Sequence, residues 1–174
     1  QCMRLVFKAD APPFDNVKVR QAANYAVDKE GILRGILRGA GYVMNGPISA
    51  DMFGYNEALK PYEYDPEKAK ALLKESGVTA LDVSFQMPNG RFLGDKAIGE
   101  AIVDQLNKVG FKAAGNFMDF GTWIQQFNKA GHGYLVLGQD AFPHRLFTSL
   151  SSKLHPVTWY GYANPQVDQL IDQA

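Results

Sequence analysis

Residues that could bind a charged solute follow two apolar stretches of the chain. The segment PNGRFLGD comes after alternating apolar residues and carries Arg91, while GQDAFPHRLF comes after YLVL and carries Asp140 beside an aromatic residue. A guanidinium pairs well with a carboxylate, and a carboxylate pairs well with an ammonium group. A few polar groups next to an aromatic side chain are typical of a binding site. The candidate ligand-binding residues are Asn89, Arg91, Gln139, Asp140, Phe142 and Arg145.

Purely structural roles for the same residues stay open. Arg91 also fits a solvent-exposed position next to a turn over residues 88–90. Asp140 also fits the N-cap of a helix that follows it. If Arg145 folds back onto Asp140, the two charges cancel, and the site then prefers a neutral or zwitterionic solute over a cationic one.

Motifs for catalysis and metal binding are missing from the sequence. It contains no GxSxG, P-loop, GxGxxG or HExxH motif. His132, His144 and His155 are 11 or 12 residues apart, and neither spacing is typical of a zinc site. We therefore expect a binding protein without catalytic residues, metal ligands or a cofactor. One alternative is a small hydrolase or metal enzyme, which needs a compact cluster of histidines and carboxylates. The other is a regulatory domain that has the same fold as such a binding protein.

The composition indicates a folded domain. The chain has 174 residues, of which 46% are hydrophobic, enough for one domain with a core. Its 18 basic and 18 acidic residues cancel, so the charge gives no reason to expect nucleic acid or an anionic membrane as partner. Separately, we expect a monomer. No apolar run approaches the roughly 20 residues of a membrane-spanning helix. The single cysteine, Cys2, cannot form an internal disulfide.

One complete helix can be recognised in the stretch YDPEKAKALLKESG. Asp65 predicts an N-cap because its carboxylate can accept the free amides of the first turn, and Pro66 suits the next position. Gly77 suits the left-handed residue that ends a helix. Ala69 and Leu73 lie on one face with Leu72, so we expect this helix to pack on a core.

Strands and helices alternate along the rest of the chain. We predict strands over residues 3–8, 81–87, 111–117 and 134–137 from their alternating or continuous apolar residues. Residues 39–63, rich in glycine, proline and aromatics, predict a long loop. Five further helices are predicted. The first is capped by Asp15 or Asn16 and has Val19, Ala22, Ala23, Ala26 and Val27 on its core face, and the second covers residues 32–37. The third runs from Ile98 to Val109 and is ended by Gly110, a short fourth one lies around Trp123, Ile124 and Phe127, and the last one starts at Asn164 and Pro165. The pattern favours an α/β fold, in which ligands bind beyond the carboxyl ends of the strands.

Four of these stretches together resemble the peptide- and nickel-type solute-binding proteins of bacterial ABC importers. They are PPFDNVKVRQAANYAVDKEGIL, YDPEKAKALLKESG, AIVDQLNKVGFKAA and YANPQVDQLIDQA, in this order. The resemblance implies a receptor of two lobes that closes on its solute and delivers it to a membrane permease. It implies that residues 1–174 form a single domain, the C-terminal lobe of a type II periplasmic-binding-protein-like fold, with a mixed sheet flanked by helices.

The resemblance also has implications for location and ligand. The N-terminal lobe and the export signal are expected before Gln1, and the full-length protein is expected in the periplasm, or outside the cell on a lipid anchor. In the peptide binders, a glycine and a tryptophan follow the strand that matches YLVL, and a nearby aspartate receives the peptide's amino terminus. Here Gln139 stands at the tryptophan position and Asp140 is the acidic candidate. Relatives take peptides, nickel chelates, haem, sugars or opines, so the resemblance does not choose the ligand.

Overall fold

The computed structural model describes residues 2–46, 48–127, 129, 131–138 and 163–173. Four strands and six helices lie in these ranges. The candidate residues Gln139, Asp140, Phe142 and Arg145 lie outside them. In chain order the elements are β1 (Cys2–Phe7), α1 (Val17–Ala26), α2 (Lys29–Gly35), α3 (Pro66–Ser76), β2 (Asp82–Pro88), α4 (Asp95–Val109), β3 (Lys112–Met118), α5 (Phe120–Gln126), β4 (Gly133–Gly138) and α6 (Pro165–Gln173).

The four described strands form one mixed sheet in the order β1-β4-β2-β3. β2 pairs in parallel with both β3 and β4, whereas β1 runs antiparallel to β4. Because parallel strands end at the same side of a sheet, the carboxyl ends of β2, β3 and β4 lie along one edge, which we call the carboxyl edge. The structure confirms the expected α/β class with a mixed sheet and flanking helices.

Local capping chemistry sets the ends of the helices. The Asp65 carboxylate accepts the Lys68 amide at 2.9 Å, and Gly77 ends α3 with a φ of 68°, as predicted. Asn16, one of the two residues considered, caps α1 by accepting the Lys18 amide at 2.9 Å. These ends depend on contacts between residues close in sequence, so they can be recognised without the fold.

Several predicted boundaries differ from the structure; α4, for example, begins at Asp95 and not at Ile98. The helix expected over residues 32–37 begins earlier, at Lys29, because the Asp28 carboxylate accepts the Gly31 amide and caps the helix there. Pro88 was assigned to a turn, but it is the last residue of β2, opposite Met118 of β3. Proline has no N–H to donate, but the last bond from β2 to β3 is donated by the Asn89 amide and does not need one from Pro88.

The core lies between the sheet and helices α1, α3 and α4. The Phe14 ring stacks on Phe7 with the centroids 4.3 Å apart and lies 6.0 Å from the Phe85 ring. α4 approaches the sheet closely at Gly99, where an added Cβ would lie 2.5 Å from the Met87 sulfur. Buried apolar side chains of the core include Phe14, Val19, Ala22, Ala23, Ala26, Ala69, Leu73, Val83, Phe85, Met87, Ile98, Ile102, Leu106, Val109, Phe111 and Leu135.

The segment 39–63, of which residue 47 is not described, contains no helix or strand among its described residues, as predicted. Asn45 holds part of it together by donating to the Tyr55 hydroxyl at 2.9 Å and the Leu59 carbonyl at 2.8 Å. Phe53 is 90% exposed in this segment. Among the described residues, no helix is long and apolar enough to cross a membrane.

Candidate functional site

The candidate site begins at the carboxyl edge, where the chain leaves β2 through the loop 89–94. The Asn89 amide donates to the Met118 carbonyl at 2.8 Å, which continues the contact between β2 and β3 by one residue. Gly90 then takes a φ of 81°, a left-handed conformation that glycine adopts without steric cost. The side chains of Asn89 and Arg91 are both exposed at this edge. The structure thus places the two described candidates in one loop at the expected end of the sheet.

A buried carboxylate holds this loop. Asp95, which is 3% exposed, accepts the backbone amides of Gly90 at 3.1 Å, Arg91 at 2.9 Å and Phe92 at 2.9 Å. Its own neighbour Lys96 donates a fourth amide, at 2.8 Å. Burial alone would raise the pKa of the Asp95 carboxyl, but the four amides stabilise the carboxylate and hold the pKa below its usual value.

The Arg91 guanidinium lies against two aromatic rings. Its Cζ is 5.0 Å from the Phe120 ring centroid and 5.5 Å from that of Phe92. The two rings meet edge to face, with their centroids 5.8 Å apart. Within the described ranges, Arg91 forms no ion pair with an aspartate or glutamate. Its charge therefore lies against the rings and is not neutralised by an aspartate or glutamate of the described chain.

The Phe120 ring is held in place by the start of α5. Asp119 caps this helix by accepting the Thr122 amide at 3.0 Å and the Thr122 hydroxyl at 2.7 Å. Trp123 stacks on Phe120 with centroids 5.6 Å apart. Its indole nitrogen donates to the Gln86 carbonyl of β2 at 3.3 Å. The stacked rings of Phe120 and Trp123 are therefore attached to β2, the strand from which the loop 89–94 emerges.

The sequence did not reveal Asp95 or Phe120 as site residues. Asp95 looks like an ordinary acidic residue in the first turn of a helix, and only its position five residues after Gly90 hints at a contact with the loop. Phe120 lies 29 residues after Arg91, at the start of α5, the helix that follows β3. Recognising their role requires knowing that β2 and β3 pair in parallel.

The described histidine lies away from this site. His132 precedes β4, and its Nδ1 accepts the Ser84 amide at 3.0 Å near the amino end of β2. This contact indicates a structural role between two strands, at the opposite edge of the sheet. In the described part of the chain, no group of three or more histidine, cysteine, aspartate or glutamate residues is arranged to hold a metal ion.

The stability that Asp95 provides should depend on pH. Its folded-state pKa lies below the unfolded value of about 3.9, so its contribution is present at neutral pH and is lost as the pH falls below about 4. Urea unfolding of the wild type and Asp95→Asn should therefore show a stability difference at pH 7 that shrinks at pH 3. An equal difference in unfolding free energy at both pH values would contradict this prediction. The control is Asp104→Asn, which changes an exposed carboxylate on the same helix.

Comparisons with known proteins give a consistent result. The chain is 35% identical over 156 residues to the dipeptide-binding protein of Escherichia coli strain K12, covering 85% of this chain and 29% of that protein. It is 32% identical over 187 aligned residues to heme-binding protein A of Haemophilus influenzae, covering 98% of this chain and 33% of that protein. The chain thus spans about a third of the length of these relatives.

The fold is also that of solved solute receptors. The crystal structure of the dipeptide-binding protein from Pseudoalteromonas sp. SM9913 in complex with Met-Leu matches with a TM-score of 0.84 and 25% identity, over 98% of this chain and 36% of that one. Residues 1–160 match the family described as "Bacterial extracellular solute-binding proteins, family 5 Middle". The chain belongs to this family of extracellular solute-binding proteins.

Proposed function

We propose that the chain is one lobe, the C-terminal one, of the solute-binding receptor of an ABC import system. The observation that carries the proposal is the family match over residues 1–160, which includes the carboxyl edge and its exposed arginine. A cleft between two lobes needs contacts from both, so one lobe supplies only part of the site. The receptor closes on a peptide or a similar small solute and delivers it to a membrane permease.

In this proposal the carboxyl edge contributes the polar contacts to the solute. Arg91, whose guanidinium lacks an aspartate or glutamate partner among the described residues, receives a carboxylate of the solute. Asp140 follows the end of β4 by two residues and receives an ammonium group. Asn89 in the loop 89–94 adds a further polar side chain to the site, and Gln139, Phe142 and Arg145 remain candidates from the sequence. A dipeptide carries both charges that this arrangement requires.

A site that only binds its solute implies a role in solute capture outside the cytoplasmic membrane. The full-length protein works in the periplasm, or outside the cell on a lipid anchor, as a monomer that meets an ABC permease in the membrane. It binds and releases its solute without changing it, since the relatives named above are binding proteins. Energy for import comes from other components of the transporter.

Replacing Arg91 by glutamine in the full-length receptor tests the proposal. A lost charge-assisted hydrogen bond costs about 1.5 to 3 kcal/mol, so the affinity for Met-Leu should fall roughly 10- to 150-fold. Isothermal titration calorimetry with Met-Leu measures this change. Arg34→Gln is the matched control, because Arg34 is exposed on α2 and pairs only loosely with Glu30, at 3.9 Å. Unchanged affinity in Arg91→Gln would contradict the assignment of Arg91, and a wild-type receptor that binds no peptide would contradict peptide binding itself.

A further inference from the structure

Asp95 differs from the other aspartates that lie at helix starts. Asp28, Asp65 and Asp119 are N-caps, and each accepts the amide of the residue three positions later, inside its own helix. Asp95 is the first residue of α4, and the N-cap before it, Gly94, has no side-chain capping bond. A carboxylate at the start of a helix is expected to stabilise that helix. The contacts of Asp95 point instead to the preceding loop.

Three of the four hydrogen bonds to Asp95 come from the loop 89–94. The donors are the consecutive amides of Gly90, Arg91 and Phe92, at 2.9 to 3.1 Å. A carboxylate that accepts several amides in a buried place holds the backbone firmly, because releasing any of these groups leaves a buried charge less satisfied. The middle donor is the residue whose guanidinium lies over Phe120.

The side chain of Arg91 has few other restraints. It is exposed, and its contacts among the described residues are the faces of Phe92 and Phe120. Contacts of a cation with a ring at an exposed site are weak, about 0.5 to 1 kcal/mol. Because these contacts are weak, the guanidinium can use them only when the backbone of residue 91 is placed within reach of the Phe120 ring. Asp95 fixes that backbone directly.

We propose that Asp95 is a positioning residue for solute recognition, which holds the backbone of residues 90–92 so that the Arg91 guanidinium lies on Phe120 and faces a solute carboxylate. This inference rests on the proposed function. Asp95 does not touch the solute and acts through Arg91. Preorganised groups bind more tightly because the ordering cost has been met during folding. Loss of Asp95 should therefore weaken only the contact that Arg91 makes.

Calorimetry on the full-length receptor can separate this role from a general loss of stability. The probes are Met-Leu and its C-terminal amide, which lacks the carboxylate. Asp95→Asn should weaken binding of Met-Leu about tenfold, equivalent to 1.4 kcal/mol, while binding of the amide changes less than about twofold. In the Arg91→Gln background, Asp95→Asn should cause no further loss for Met-Leu, because residues that act as one unit are not additive.

Two controls and a second measurement complete the test. Asp104→Asn changes an exposed carboxylate on the same helix, and Asp65→Ala removes an N-cap far from the loop, so neither should alter the ratio of the two affinities. Hydrogen exchange should become faster at the amides of Gly90, Arg91 and Phe92 in Asp95→Asn, and remain unchanged at the amides of β3. This readout needs no solute.

The possible outcomes separate the two proposals. If wild-type receptor binds Met-Leu but Asp95→Asn weakens both probes equally, or the three amides exchange at wild-type rates, the positioning role is wrong while the receptor function stands. Additive losses in the double variant would also overturn it. If wild-type receptor binds neither probe, the proposed peptide function fails, and the positioning role fails with it.

Discussion

Replacing Phe14 by alanine should lower the free energy of unfolding by about 3 to 5 kcal/mol, the range for a buried phenylalanine truncated in a core. Phe14 is 0% exposed and lies just before α1. Its ring contacts Phe7 of β1, Phe85 of β2 and Phe111, which directly precedes β3. It therefore connects both edge strands of the sheet with a central strand. The cavity left by alanine would be surrounded by rigid rings and could not collapse easily.

Urea unfolding followed by circular dichroism measures this effect, and the chain offers a control of the same chemistry. Phe53→Ala removes the same atoms from a side chain that is 90% exposed, and it should change stability by less than about 0.5 kcal/mol. A loss below about 1 kcal/mol in Phe14→Ala would show that the ring cluster does not organise this core.

Replacing Gly133 by valine should destabilise the protein by about 3 kcal/mol or more, since overpacking against a fixed neighbour is costly. Gly133 lies in β4 between two paired strands, opposite Phe7 of β1 and Phe85 of β2. A Cβ at this position would overlap the carbonyl oxygen of Val6, and it would also come within 3.2 Å of the Phe85 ring. The backbone oxygen can move only if the pairing of β1 with β4 opens.

Gly35→Ala is the control for this prediction. Gly35 is the last residue of α2 and nothing lies within 4 Å of an added Cβ there, so alanine meets no clash, and its higher helix propensity should stabilise the protein slightly. The two substitutions should therefore have opposite signs in the same urea unfolding assay. A Gly133→Val variant as stable as the wild type would mean that β1 and β4 are not paired in the observed register.

Features set by neighbours in sequence could be predicted from the sequence. Asp65, Gly77 and Gly110 mark helix ends by contacts within a few residues, and the structure has those ends where they were expected. The α/β class follows from the alternation of apolar patterns, which reflects burial of one face of each element. The early start of α2 at Lys29 was missed because Asp28 was not recognised as its N-cap.

Features set by distant contacts could not be predicted in this way. The sheet order places β4 between β1 and β2, and no local pattern reports which strands become neighbours. The same limit applies to the contact of Arg91 with Phe120, which requires the parallel pairing of β2 and β3. Asn89 and Arg91 were correctly expected at the end of a strand, but the residue that holds their loop, Asp95, was missed.

The hydrogen bonds to Asp95 also bear on how this lobe can evolve. They use backbone amides at positions 91 and 92, which every amino acid except proline provides, so they do not depend on the side chains there. A single codon change at position 91 can therefore alter the charge or size of the side chain exposed at the carboxyl edge while the backbone of the loop stays the same. Mutation or redesign of the side chain at position 91 is thus separated from the risk of misfolding at this loop.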